Sequence, residues 1–272
     1  MTLIAILIGT LAAGIGSVWL AAALSFGALG RYTQHMLSLA AGALMATAFM
    51  HLLPEAFESQ VGAHDLFMTL LIGLVFFFLL DKAELWHHGH EHHHDHAHDH
   101  SHDHAPTHAH GHAKAPEAAL PRAAGSWAVL TGDSVHCFGD GVLIASAFMA
   151  DMRLGMIASL AVLAHEVPHH MGDLMVLRAG SSNRQAALLK VSLAGAVTAL
   201  GGLIGFWLVE QLQDFLPYFL VVASSSFIYV ALADLIPQLQ KRLTLLQTVA
   251  QVAWLGAGIA LVMLVSGMAH AH

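Results

Sequence analysis

Charge is what this chain has least of. Only 10% of its 272 residues are charged, ten of them basic and eighteen acidic, and no basic patch is present of the kind that tracks a phosphate backbone. Nucleic acid is therefore excluded as a partner. A single cysteine, Cys137, rules out an internal disulfide and with it any reading of redox compartment. No Gly-rich loop of the Walker type occurs, so there is no cradle for a nucleotide. What fills the chain instead is apolar, 57% hydrophobic with a mean hydropathy of +0.65, which is the composition of a membrane protein.

A bilayer core takes about 20 apolar residues per helix. Eight stretches qualify, at 3–24, 36–54, 66–85, 126–149, 154–176, 186–209, 215–236 and 246–266. The expectation is an all-α membrane protein with eight transmembrane helices in one membrane domain. Helices 1–3 occupy 1–85, a loop covers 86–125, and helices 4–8 follow over 126–272. With the N-terminus outside, Arg31, Lys82, Lys114, Arg122, Arg178, Arg184, Lys190, Lys241 and Arg242 fall on the cytoplasmic side and only Arg153 outside. That bias sets the orientation, and an even number of spans leaves both termini outside. Ala21-Ala22-Ala23 resembles a signal-peptide cleavage site, but no basic residue precedes the first span, so that span is expected to stay as a helix.

Chemistry concentrates at 131–173. His136-Cys137-Phe138-Gly139-Asp140-Gly141 lies in the fourth span, and His165-Glu166-Val167-Pro168-His169-His170-Met171-Gly172-Asp173 in the fifth. Side chains three or four apart share a helix face. Asp133, His136 and Asp140 therefore line one face, and His165, His169 and Asp173 another, with Glu166 and His170 one residue round. Two such faces turned together supply the imidazole and carboxylate ligands a divalent transition metal needs. Because the fourth span rises and the fifth descends, the two sets fall at similar depths. Ionisable groups inside an apolar span are costly and are functional candidates by default. Pro168 removes a backbone hydrogen bond and is expected to kink the fifth span, while Gly139, Gly141 and Gly172 loosen the same region.

Elsewhere the first span is rich in small residues and carries no ligand type. Met45, in the second span, is a soft ligand candidate that also reads as packing. His51 and Glu55, four apart, face the outer mouth. The Phe76-Phe77-Phe78 run of the third span reads as lipid-facing. Residues 86–113 hold 14 of the 23 histidines, interleaved with Asp95, Asp99 and Asp103. Such a tract builds no core and binds metal weakly at many registers. The sixth span reads as a close-packing helix through Gly195, Gly201, Gly202 and Gly205. Ser224-Ser225-Ser226 is a polar patch in the seventh span, and Asp234 lies near its inner end.

His51-Leu-Leu-Pro-Glu55, Gly132-Asp133-Ser-Val-His136-Cys-Phe-Gly-Asp140-Gly141 and His165-Glu166-Val-Pro-His169-His170-Met-Gly-Asp173 resemble the signature segments of the Zrt/Irt-like (ZIP) metal transporters. Eight spans and a His-rich loop between the third and fourth agree with that resemblance. It implies transport of Zn2+ and related divalent ions toward the cytoplasm, with metal bound between the fourth and fifth spans. By position it assigns His136, Asp140, His165 and His169 to a first metal site and Met45 to a further ligand. It assigns Cys137, Asp140, Glu166 and His169 to a second, adjacent ion. The family usually carries Asn at 137 and Glu at 170.

The function expected is carriage of divalent ions without ATP through the cell membrane, with lipid as surroundings and a homodimer among the admissible assemblies. Zn2+ is the foremost substrate, with Cd2+ or Fe2+ as alternatives, since imidazole-rich sites disfavour Mg2+ and Ca2+. The path runs from His51 and Glu55, through the central ligands, to Asp133, Asp173 and Asp234. Only Asp140 is expected to bridge two ions, with Glu166 and the neighbouring His170 left for the second. That leaves one tightly held ion and a weak second position. The rival reading is an intramembrane zinc protease using His165-Glu166-x-x-His169; it leaves His51, Glu55, Asp133, Asp234 and the His tract without a role. A metal sensor or store anchored by its spans would need one helix rather than eight.

Overall fold

A computed structural model describes residues 1–25, 33–89, 124–180, 183–236 and 244–268, and among these residues every element is helical. α1 (Thr2–Leu11) continues through a π turn (Ala12–Gly16) into α2 (Ser17–Ser25). α3 (Thr33–Thr47) passes through a second π turn (Ala48–Leu52) into α4 (Leu53–Phe57). α5 (Ala63–Gly89), α6 (Ala124–Ala150), α7 (Met152–Gly180) and α8 (Arg184–Gln211) follow. A short 3-10 turn (Gln213–Phe215) leads to α9 (Leu216–Tyr229), a third π turn (Val230–Leu235) and α10 (Leu245–Met268). The His-rich stretch at 90–113 lies outside the described residues.

Six of these helical segments are long and apolar enough to cross a membrane: Thr2–Leu24, Gln34–Phe57, Ala63–Leu80, Arg184–Gln211, Gln213–Ala233 and Leu245–Gly267. α6 and α7, of 27 and 29 residues, have the length. At about 1.5 Å per residue each reaches roughly 40 Å, beyond a ~30 Å hydrocarbon core. They differ from the six in carrying Asp133, Asp140, Glu166 and Asp173 in their interiors.

The junction between α6 and α7 sets the geometry of everything that follows. Asp151 alone separates them, and its Oδ1 accepts from the backbone N–H groups of Arg153 (2.8 Å) and Leu154 (3.2 Å). That is an N-cap: it satisfies the orphan donors that open α7. With so short a link the helices must run antiparallel, and equal residue counts on either side of Asp151 reach equal depth. His136 lies 15 residues before Asp151, His165 14 after and Glu166 15 after; Asp133 lies 18 before and His169 18 after.

α6 packs along α8, while α2, α3 and α6 pack against α7. Glycine makes the first contact close. A Cβ on Gly141 would run into the Thr198 carbonyl, and one on Gly201 into the Phe138 carbonyl. Backbones that near gain dispersion contact where lipid offers no hydrophobic drive. The contact also holds the His136–Asp140 turn at one rotation. Gly141 is thus a packing residue rather than a loosening one, whereas Gly139 and Gly172 face open space.

Pro168 lies inside α7, which stays helical from end to end, so the expected interruption takes the milder form of one missing backbone bond. The departure from α-geometry occurs before Pro54 instead. That ring clashes with the carbonyl four residues back, and the chain widens into the π turn Ala48–Leu52, which carries His51. Outward faces of α5 and α10 are apolar: Ile72, Phe76, Leu79, Val252 and Leu264 are all largely exposed, as the lipid-facing reading of the third span expects. The serine patch serves packing, since Ser224 and Ser225 donate to Leu220 and Val221 carbonyls within α9, and Ser225 also reaches Leu70 O of α5 at 3.2 Å.

Candidate metal centre

Helix periodicity and the Asp151 hairpin bring nine ionisable side chains to the α6–α7 seam, where they sort into three sets. The first comprises His136, Asp140, His165 and Glu166. His136 Nε2 stands 3.4 Å from His165 Nε2 and 3.2 Å from Glu166 Oε1. His165 Nε2 stands 3.4 Å from the same Glu166 oxygen and 3.1 Å from Asp140 Oδ2, and His136 Nε2 lies 3.8 Å from that Asp140 oxygen. A tetrahedral ion bound at about 2.0–2.1 Å has ligand–ligand edges of ~3.3–3.4 Å. The spacing fits that tetrahedron.

The second set comprises Asp133, Cys137, Glu166 and His170. His170 Nε2 lies 3.1 Å from Glu166 Oε2 and 3.6 Å from Asp133 Oδ1. Cys137 Sγ lies 3.7 Å from Asp133 Oδ1, 3.9 Å from Glu166 Oε2 and 4.0 Å from His170 Nε2. Sulfur at about 2.3 Å lengthens its edges to ~3.6 Å, so the longer distances fall where thiolate would require them. The third set is Asp133, His169 and Asp173, with His169 Nδ1 3.5 Å from Asp133 Oδ1 and 3.7 Å from Asp173 Oδ2.

Proton placement argues that these atoms are aimed at cations. His165 Nδ1–H donates to Ala161 O at 3.2 Å, which leaves the Nε2 lone pair facing Asp140. In the second set Ser17 Oγ–H donates to Gly14 O (2.6 Å) and therefore accepts from His170 Nδ1–H (2.9 Å), which in the neutral ring puts the lone pair on Nε2 as well. Both imidazoles are held in the tautomer that ligates through Nε2. Asp133 Oδ2, Asp140 Oδ2, Glu166 Oε1, His169 Nδ1 and Asp173 Oδ2 are buried without a hydrogen-bond partner among the described residues. Acceptor facing buried acceptor at 3.1–3.4 Å is unfavourable unless a cation stands between them.

Several sequence expectations change. Glu166, rather than Asp140 alone, is placed to bridge, because its two oxygens point into different sets. Asp140 falls in the first set only, and His169 joins Asp133 and Asp173 instead of His136 and His165. His170 is a full member of the second set, and Asp133, expected on the way out, is a ligand candidate of two sets. The physical reason is rotation: at ~100° per residue, the one-residue offset of Glu166 and His170 from the His165 face turns them toward Cys137 rather than away. Ser17 was invisible, since its partner lies 153 residues on and its own helix carries no ligand type.

The other candidates sit apart from these sets. Met45 packs, half-buried, against the apolar core around Leu44 and Ile144. His51 is half-buried on its π turn, and Glu55 is exposed on α4. Asp234 belongs to the π turn Val230–Leu235, and its side chain lies outside the described residues. The protease arrangement is not formed. It needs His165 and His169 on one ion with Glu166 free as base, whereas Glu166 is itself in the ligand position and the two histidines fall in separate sets.

The sequence profile described as ZIP zinc transporter matches residues 1–266. The chain is 30% identical over 252 residues to zinc transporter ZIP4 of Homo sapiens, covering 76% of this chain and 39% of that protein. It is 27% identical over 292 residues to zinc transporter ZIP13 of Pongo abelii, covering 97% and 79% respectively. Over 115 residues it is 36% identical to zinc transporter ZIP10 of Homo sapiens, covering 42% of this chain and 14% of that one. The chain thus spans about two fifths of the length of ZIP4. Since the match runs through nearly the whole chain and includes both helices of the seam, the chain belongs to the ZIP zinc transporter family, whose members are transporters rather than enzymes.

Proposed function

We propose that this chain carries divalent transition-metal ions, Zn2+ foremost, through the cell membrane toward the cytoplasm without nucleotide hydrolysis. The observation that carries the reading is the pair of four-ligand sets at the α6–α7 seam, joined by the two oxygens of Glu166. Charge supports two ions there. Asp133, Asp140, Glu166 and a Cys137 thiolate together carry four negative charges, which balance two divalent cations, and the ions themselves would deprotonate the thiol. The second position is accordingly a full site, which replaces the weak one expected from residue spacing.

In this reading α6 and α7 are the fourth and fifth of eight spans, and both termini lie outside. Ions enter past His51 and Glu55, bind at the seam, and leave past Asp173 and Asp234. A potential of about 100 mV, inside negative, gives a divalent ion roughly 4.6 kcal/mol, at ~2.3 per charge. Cd2+ and Fe2+ suit the same donor atoms. The His-rich stretch would act as a cytoplasmic buffer.

Metal flux into liposomes holding the purified chain, without ATP, tests the proposal. Wild type should transport Zn2+, and His136→Ala or His165→Ala should lose nearly all flux, because each removes one of four ligands from the first set. Wild-type flux in both variants would remove the site from this seam.

A further inference from the structure

We infer that Asp133, His169 and Asp173 form a third divalent-cation site, which receives an ion from the second set and is not filled while the second set holds one. This rests on the transport reading above and adds an order of events to it.

The third set has the marks of a ligand set rather than of a structural hydrogen-bond triad. A protonated histidine clamped between carboxylates would sit at about 2.7–2.9 Å from them. His169 Nδ1 instead stands 3.5 Å from Asp133 Oδ1 and 3.7 Å from Asp173 Oδ2. Three ligands spread around one ion at about 2.0–2.1 Å have edges of ~3.3–3.6 Å. His169 Nδ1 and Asp173 Oδ2 are buried and lack a hydrogen-bond partner among the described residues, and so does the second oxygen of Asp133, whose side chain is 1% exposed. The backbone supports the set: His169 and Asp173 are one turn apart on α7, and Asp133 lies at the same count from the Asp151 hairpin as His169.

How the sets share carboxylates decides which can be filled together. Glu166 offers Oε1 to the first set and Oε2 to the second, so each ion has its own oxygen. Asp133 turns the same atom, Oδ1, toward His170 and Cys137 of the second set and toward His169 of the third. Two ions on one oxygen would lie at most about 4 Å apart, where divalent charges repel strongly in a low dielectric. Once Asp133 neutralises an ion in the second set, only Asp173 remains to neutralise one in the third. Occupancy therefore alternates. An ion can pass from the second set to the third without releasing Asp133, which keeps one ligand bound throughout the step. The third set then offers three protein ligands and leaves room for water, and the His169 ring is 38% exposed against 0% for His170. Weaker coordination with water access suits release.

Anomalous diffraction from Cd2+-loaded crystals of the full-length chain tests this. Wild type should show cadmium in the first and second sets and not at full occupancy in the third. Glu166→Gln weakens both of the first two, and cadmium should then occupy the third set; adding Asp173→Asn should remove it. His170→Ala empties the second set by a different ligand and should also populate the third. In liposomes, Asp173→Asn should cut flux on the order of ten-fold while the first two sets bind as in wild type. No cadmium in the third set of either Glu166→Gln or His170→Ala overturns the site. Full occupancy of the second and third sets in one molecule overturns the alternation. Failure of the transport reading looks different, because wild type would then hold cadmium in neither of the first two sets.

Discussion

Replacing Glu166 with glutamine tests the bridge directly. Glu166 is 1% exposed, and its oxygens serve separate sets: Oε1 at 3.2 and 3.4 Å from His136 and His165, Oε2 at 3.1 Å from His170. Glutamine has the same shape, so packing is conserved. Its amide can present oxygen to one set only and must turn an NH2 toward the other, where it repels a cation. A four-ligand zinc site contributes about 10–16 kcal/mol, or roughly 2.5–4 kcal/mol per ligand. At ~1.4 kcal/mol per decade, the set facing the NH2 should weaken about 10²–10³-fold. The other set keeps an oxygen but loses its charge and weakens less. Asp140→Asn, by contrast, should weaken one ion only. Chelator-competition titration of Zn2+ on a variant lacking residues 87–112 reads both, with two tight ions expected in the parent. Metal-free Glu166→Gln should melt at or above the parent Tm, because a neutral amide relieves an uncompensated buried charge. If Glu166→Gln kept one ion at parental affinity, as Asp140→Asn is expected to do, the bridge would be refuted.

Three further outcomes are expected. Ser17→Ala frees the His170 tautomer and should weaken the second ion by about 10–100-fold, as loss of such an orienting partner does, with the first ion untouched; Ser17→Thr, which keeps the hydroxyl, should retain most of the affinity in the same titration. Zn2+ affinity should fall on acidification through about pH 6.5, since neutral imidazole is the ligand and protons compete for its lone pair; a flat profile from about pH 8 to 5.5 would mean that carboxylates alone hold the ions. Replacing 87–112 with a Gly-Ser linker should leave initial uptake within a few fold, and complete loss with normal expression would put the tract in the path.

Local periodicity made much of this protein legible before any coordinates. Apolar runs located the helices to within a few residues, as the expected 126–149 and 154–176 against α6 and α7 show, because a continuous apolar run of about 20 residues satisfies its own backbone in hydrocarbon as a helix. The i,i+4 spacing of His136 with Asp140 and of His165, His169 and Asp173 named candidate ligands, because it is a property of one helix by itself. What periodicity along one helix cannot contain is the rotation and register of two helices against each other. Those depend on the Asp151 cap and on the Gly141 and Gly201 contacts between α6 and α8. Only they placed Glu166 between the first two sets, moved His169 to Asp133 and Asp173, and drew His170 into the second set. Ser17 belongs wholly to tertiary structure. Its hydroxyl acquires meaning from a histidine 153 residues away, and no pattern in its own helix distinguishes it from a small residue placed there for packing.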